Sequence, residues 1–175
     1  MDQIIIAIDP GFSGGFAWQY QKGTFVKNMP ETLADIRDLI MEIRKLGGVH
    51  VVMERTGGFW SGGQKMRCGC GREINAAPRS GPAMATFSRH CGQLEGLLVG
   101  MQIPYDAVAP AVWMKAFIGA SIKDKHERKN TIKAKAQQLH PDLKITLKTA
   151  DAVGILEWYL HLRGVVKVEN PSLPF

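Results

Sequence analysis

The sequence predicts a single α/β domain built on a five-stranded mixed sheet with flanking helices. Residues 3–8 form a near-continuous, mostly β-branched apolar run, which is typical of a strand buried on both faces. Lys22-Gly23 separates two further short runs, which predicts a hairpin. A helical pattern then precedes the apolar run 49–54, as in a crossover between parallel strands. We therefore expect strands 1–3 to be antiparallel and strands 1, 4 and 5 to be parallel.

The hairpin leads into the first helix. Thr32 is followed three residues later by Asp35, a capping-box pattern that starts a helix, and Gly47-Gly48 ends it. After the fourth strand, residues 55–82 show neither helical nor strand periodicity and are rich in Gly, Ser and Pro. A loop of this length within a compact domain is either functional or mobile.

A long helix is predicted over residues 83–101. One row along it consists of small residues spaced four apart, namely Ser88, Gly92, Gly96 and Gly100. Glycine within a helix costs roughly 1 kcal/mol relative to alanine. The row therefore implies a close approach, either to the sheet or to another subunit.

The second half of the chain contains one more strand and three more helices. The predicted elements are a fifth strand (103–108), a short helix (111–117), a basic helix (123–139) and a last helix (149–162). We therefore expect one domain over residues 1–164, followed by an extended, proline-containing C-terminal tail over 165–175.

The net charge of +6 lies within one segment. Residues 115–148 contain nine Lys or Arg and three acidic residues, whereas the rest of the chain contains thirteen of each. A neutral body with one basic segment indicates either a localised face for a polyanion or a solvated lysine-rich helix.

The composition favours a cytoplasmic protein without a membrane span. No run of about 18 apolar residues is present, and the N-terminus lacks the basic start of a signal peptide. Three cysteines argue against a disulfide framework. Cys68 and Cys70 differ in spacing from a usual zinc knuckle, so we expect free thiols, with a zinc site as the alternative.

Three carboxylates stand at the ends of predicted elements. Asp9 ends the first strand, Glu54 ends the fourth, and Asp151 lies where the last helix begins. Singly, each has an ordinary explanation: a turn after Asp9, a strand end at Glu54, and a helix-dipole acid at Asp151 beside an N-cap at Thr149. Jointly, they converge if strands 1 and 4 are neighbours. Converging carboxylates repel each other unless they hold a hard cation such as Mg²⁺.

Several short motifs occur in a particular order along the chain. They are IAIDPG (6–11), VVME (51–54), FSR (87–89), GQLEG (92–96), IPY (103–105), PAVWMK (110–115), KDK (123–125) and ADA (150–152). In these motifs and their spacing, residues 3–163 resemble the RuvC-type Holliday junction resolvases. That family belongs to the RNase H-like (retroviral integrase) superfamily, and the chain is most similar to its phage and viral members.

The resemblance implies an RNase H-like fold and a homodimeric, Mg²⁺-dependent endonuclease that makes paired nicks in four-way DNA junctions. Asp9, Glu54 and Asp151 would be the metal ligands, holding two cations that activate water for in-line hydrolysis, with Mn²⁺ able to substitute. Neither a nucleotide cofactor nor a membrane is expected. The location would be a bacterial cytoplasm, with a phage-encoded origin plausible.

One position departs from the family pattern. Lys148 stands three residues before Asp151, where family members carry an acidic or imidazole group. An ammonium cannot ligate Mg²⁺, so Lys148 is assigned a catalytic role in stabilising the developing phosphorane charge or positioning water. The alternatives are a locally shifted register or a weakly held second metal.

DNA contacts are expected from two groups of residues. Phe59 and Trp60, on the glycine-rich loop, would stack on an unpaired base, with a lid over the core as the alternative. Phosphate contacts are expected from Lys115, Lys123, Lys125, Arg128 and Lys129.

Two other functions fit parts of the pattern. A non-catalytic branched-DNA-binding module could keep the same fold. A phosphotransferase of the actin and sugar-kinase type can share a first strand ending in Asp and Gly, but 175 residues leave no room for a second domain that clamps ATP. Replication forks and flaps remain alternative substrates to four-way junctions.

Overall fold

The structure is a computed structural model that describes residues 3–21, 23–55, 65–67, 70, 73–75, 81–119 and 122–164. Its elements in chain order are β1 (Ile4–Asp9), β2 (Gly15–Tyr20), β3 (Gly23–Asn28), α1 (Leu33–Arg44), β4 (Val49–Glu54), β5 (Lys65–Arg67), β6 (Glu73–Asn75), α2 (Gly81–Gly100), β7 (Tyr105–Val108), α3 (Pro110–Ile118), α4 (Lys125–Leu139) and α5 (Ala150–Leu162). Phe59, Trp60, Cys68 and the predicted tail 165–175 lie outside the described residues.

The main sheet has the strand order β3-β2-β1-β4-β7 and confirms the predicted mixed topology. β1 and β3 each pair antiparallel with β2, whereas β1 pairs parallel with β4, and β4 parallel with β7. The strands β5 and β6 form a separate antiparallel pair within the segment predicted to be irregular. Three-residue strands are too short to show a periodicity, so the sequence pattern does not reveal them.

The central strand β1 explains the uninterrupted apolar run that starts the chain. Ile5 and Ala7 belong to one core, together with residues of α3, α4 and α5. Ile4, Ile6 and Ile8 belong to a second core on the other face, together with residues of α1 and α2. Alternate side chains of a strand point to opposite faces, and here both faces are covered by helices.

The helix starts are partly as predicted. The Thr32 hydroxyl accepts the Asp35 backbone N–H at 3.1 Å and donates to the Asp35 carboxylate at 2.7 Å, which confirms the capping interaction. Asp124 caps α4, so the helix begins at Lys125, two residues beyond the predicted start. Thr149 is at the N-cap position of α5, as predicted, but its side chain makes no capping hydrogen bond. Its backbone is already helical, and its hydroxyl accepts the backbone N–H of Thr146 instead of one in α5.

The row of small residues on α2 faces away from the sheet. Leu94 and Leu98 fill the core side of the helix. A Cβ atom added to Gly92, Gly96 or Gly100 would meet no atom of the described residues within 4 Å. Packing against the sheet is therefore the wrong explanation for this row, and a contact with another subunit stays a prediction.

Two further predictions, on the cysteines and on membrane spans, can be compared with the structure. Cys70 is disulfide-bonded, so the expectation of a free thiol there is wrong, because an odd number of cysteines still allows one bonded pair. Across the described ranges, no helix is both long and apolar enough to cross a membrane.

Candidate active site

The three carboxylates predicted to converge lie at one edge of the sheet. Asp9 is the last residue of β1 and Glu54 is the last residue of β4. These strands run parallel, with Ile8 opposite Met53, so their carboxyl ends lie side by side. Asp151 is in the first turn of α5, which packs on both strands. The positive end of the helix dipole stabilises a carboxylate at this position.

Burial raises the pKa of all three carboxylates, and repulsion between carboxylates adds to the shift of Asp9 and Glu54. Burial, followed by the charges of Asp151 and Glu54, raises the pKa of Asp9 to about 8. Burial is also the main cause that raises the pKa of Glu54 to about 7, with the Asp151 charge adding to it. The pKa of Asp151 is raised by burial as well. Because burial drives all three toward protonation, with repulsion adding to the effect at Asp9 and Glu54, a compensating cation stabilises their ionised forms.

Trp113 on α3 holds Glu54 through a hydrogen bond that was not predicted. The indole Nε1 donates to Glu54 Oε2 at 2.8 Å, and this bond lowers the Glu54 pKa against the effect of burial. The indole is fully buried and packs against α5 at Gly154. A Cβ on Gly154 would lie 2.7 Å from Cζ3 of the indole, so only glycine leaves room for the ring in this position.

The turn after Asp9 is fixed by contacts with α2. Gly11 has a φ of +103°, a backbone conformation that residues other than glycine rarely adopt. Its backbone N–H donates to Nδ1 of His90 at 3.0 Å. His90 is buried, which lowers its pKa and favours the neutral ring that can accept this bond. Phe87 lies against the same glycine, 3.0 Å from where a Cβ would be.

Two basic side chains of α4 reach the carboxylates. Lys129 Nζ lies 4.0 Å from Asp151 Oδ2. The charge of Lys129 lowers the pKa of all three carboxylates, and that of Arg128 lowers the pKa of Glu54 and Asp151. Both residues were predicted only as phosphate contacts. The structure places them beside the carboxylates.

Lys148 has a different position from the one its sequence spacing suggests. Its backbone carbonyl packs against β2, 2.9 Å from where a Cβ on Gly15 would lie, and its side chain is exposed. Among the described residues, Lys129 and Arg128 are the cations that shift the pKa of the carboxylates, and Lys148 does not contribute.

The other predicted phosphate contacts are accessible. Lys115 on α3, Lys123 before α4 and Lys125 in its first turn are all exposed.

The donor set suits a hard divalent cation in its chemistry. Carboxylate oxygens are the ligands that Mg²⁺ and Mn²⁺ prefer in proteins, and these three are partly buried and lie within range of one another's charge. Over the part of the chain that the structure describes, no group of three Asp, Glu, His or Cys side chains has the arrangement of a formed metal site. Asp151 is instead turned toward the ammonium of Lys129.

Comparison with solved structures identifies the fold. The structure of Thermus thermophilus RuvC in complex with a Holliday junction substrate matches with a TM-score of 0.55 at 13% identity, covering 92% of this chain and 96% of that one. A second T. thermophilus RuvC structure matches with a TM-score of 0.52 at 16% identity, covering 91% of this chain and 96% of that one. The chain has a RuvC-type resolvase fold.

Sequence comparisons add no closer assignment within this fold. No protein-family model matches the chain, and no curated protein matches it in sequence. A Fowlpox virus resolvase in complex with Holliday junction DNA is also similar, with a TM-score of 0.46 at 11% identity, covering 90% of this chain and 99% of that one.

Two residues that shape the site within the RuvC-type fold were missed as functional residues. Trp113 is predicted only as a member of the PAVWMK motif. A signal for its role exists, because a buried indole N–H needs an acceptor and a buried carboxylate needs a donor. The sequence pattern predicts no role for His90. Its contact with Gly11 joins residues 79 apart in the chain, which local patterns do not reveal.

Proposed function

We propose that the protein is a metal-dependent endonuclease that cuts branched DNA, with the four-way junction as its substrate. The observation that carries this proposal is the convergence of Asp9, Glu54 and Asp151 at one edge of a RuvC-type sheet, beside a basic helix. Two of the structures that share this fold contain Holliday junction DNA, which supports the choice of substrate.

The three carboxylates are the proposed metal ligands. Bound Mg²⁺ or Mn²⁺, two ions in the complete site, would supply an activated water and neutralise the charge that develops on the phosphate. Trp113 holds the Glu54 carboxylate in place, and the Gly11–His90 hydrogen bond holds the turn that follows Asp9. Both contacts preorganise the ligands before substrate binds.

The basic and aromatic residues have the proposed role of binding DNA. Lys115, Lys123 and Lys125 are exposed and would contact phosphates of the junction arms. Lys148, exposed near the start of α5, would act on a substrate phosphate from the solvent side. Phe59 and Trp60 remain proposed to stack on an unpaired base.

Junction cleavage with a matched charge control tests the proposal. Labelled four-way, forked, flapped and linear DNA would be incubated with the protein in Mg²⁺ or in EDTA. We expect symmetric nicks in the four-way junction when Mg²⁺ is present and no nicks in EDTA. Glu54→Gln should abolish cleavage and keep binding, whereas Glu42→Gln, an exposed change on α1, should alter neither.

Each other outcome has a definite meaning. Binding of the junction without cleavage by the wild type would favour the non-catalytic DNA-binding module. Cleavage confined to forks or flaps would make these structures, and not the four-way junction, the substrate. Unchanged nicking by Glu54→Gln would overturn the metal-ligand assignment.

We also propose that the protein is a homodimer that uses the small-residue row of α2. That face is exposed, carries Val99 beside the glycines, and has open space above it. Gly96→Arg should convert the dimer to a monomer in light scattering and leave the fold intact. Ala134→Arg, an exposed change on α4, is the control and should leave the mass unchanged.

A further inference from the structure

The carboxylate cluster has a cation of its own on α4. The Nζ atom of Lys129 lies 4.0 Å from Asp151 Oδ2, and its positive charge also acts on Asp9 and Glu54. A cluster of three carboxylates with an adjacent ammonium has less need of divalent cations than three carboxylates alone.

The position of Lys129 is set by helix packing. Ile132 and Ala136 lie three and seven residues further along α4, on the same helix face, and both are buried in the core. That packing turns Lys129 toward α5. The Asp151 side chain is 13% exposed and the Lys129 side chain 37% exposed, so the ammonium approaches the buried carboxylate from the solvent side.

The identity of residue 148 agrees with this arrangement. Residue 148, three positions before Asp151, is an exposed lysine and so adds no ligand beside Asp151. The site thus has three carboxylates and one cation built into the protein, and that cation repels a divalent ion that approaches Asp151.

We infer that Lys129 is an internal counter-ion that occupies Asp151 in the free protein, so that the cluster binds one divalent cation firmly and a second one only in competition with Lys129. This inference rests on the proposed function for the presence of a metal site. Because Lys129 is partly exposed, a phosphate of bound DNA can draw its ammonium away and release Asp151.

Titration of the DNA-free, full-length protein with Mn²⁺ tests the inference without any measurement of activity. Calorimetry would be carried out above the Asp9 pKa of about 8, where protons compete least with the metal. We expect one tight Mn²⁺ per chain in the wild type. In Lys129→Met we expect a second ion, or binding that is about tenfold tighter, because the ammonium no longer competes for Asp151.

Two variants are the controls. Lys133→Met removes the same charge one turn further along α4 and should titrate like the wild type. Lys129→Arg keeps the charge and should also titrate like the wild type. Circular dichroism would confirm that all four proteins are folded.

The outcomes separate this inference from the proposed function. If Lys129→Met binds Mn²⁺ no better than Lys133→Met, Lys129 is merely a solvated lysine and the inference is overturned. If no protein binds Mn²⁺, the inference and the metal assignment both fail. If the titrations are as expected but no junction is cut, the counter-ion role stands and only the nuclease function fails.

Discussion

Removal of the indole N–H beside Glu54 should change the pH dependence of cleavage. Trp113→Phe keeps an aromatic ring in the buried site but deletes the 2.8 Å hydrogen bond to Oε2. A hydrogen bond to a charged group contributes about 1.5–3 kcal/mol, which corresponds to one to two units of pKa. The bond lowers the Glu54 pKa, so its loss should raise that pKa further above its value of about 7.

The expected result is an upward shift of the acid limb of the pH–rate profile. Glu54 must be ionised to bind metal, so a rise of about one unit from a pKa of about 7 lowers its ionised fraction at pH 7, and with it the cleavage rate, about fivefold. The rate would recover at higher pH. Single-turnover cleavage of a pre-bound junction at one fixed, subsaturating Mn²⁺ concentration measures the profile without a contribution from DNA binding, because saturating metal would itself displace the proton from Glu54.

Trp158→Phe is the matched control. Trp158 is partly buried on α5 and packs edge-on against Tyr159. Its substitution should cost some stability but leave the profile in place. If the acid limbs of Trp113→Phe and the wild type coincide, the indole does not set the ionisation of Glu54, and the assigned role of the hydrogen bond is wrong.

Three further predictions follow from the same site. The Asp9 pKa of about 8 lies above its ordinary value of 3.8, so metal-free protein should lose stability as pH rises between these values, and Asp9→Asn should reduce that loss in thermal unfolding in EDTA, leaving the part that Glu54 and Asp151 contribute. Gly154→Ala should displace the Trp113 ring, lowering both the melting temperature and the cleavage rate. Combined Lys123→Met and Lys125→Met changes should reduce the salt slope of junction binding by about 0.9 per lost contact, measured by fluorescence anisotropy.

The fold could be predicted because its signals are local or periodic. The apolar run of β1, the capping residues Thr32 and Asp35, and the spacing of Asp9 and Glu54 at strand ends each follow from nearby sequence. A strand that is buried on both faces has to be apolar throughout. The apolar composition of β1 therefore predicts its place in the centre of the sheet.

The site could be predicted only in part, because its electrostatics depend on packing between distant segments. Lys148 is three residues from Asp151 in sequence, yet its side chain is exposed and its charge is not felt by the carboxylates. Lys129 is 22 residues away and lies in contact with Asp151. The packing of α4 on α5 determines which lysine faces the carboxylates. This packing cannot be inferred from sequence spacing.

The open face of α2 was misjudged for a related reason. Small residues at four-residue intervals indicate a close approach but do not say to what. Leu94 and Leu98 already supply the contacts with the sheet, which leaves Gly92 and Gly96 on the other side of the helix.

The contacts of Gly11 with α2 limit how this chain can vary. A side chain at residue 11 would need both a strained backbone and a smaller group than the ring of Phe87. Loss of the ring nitrogen of His90 would leave the Gly11 N–H without its acceptor. Among diverged relatives, residues 11, 87 and 90 should therefore change together, so that covariation among them would trace the turn beside Asp9 where overall sequence identity no longer does.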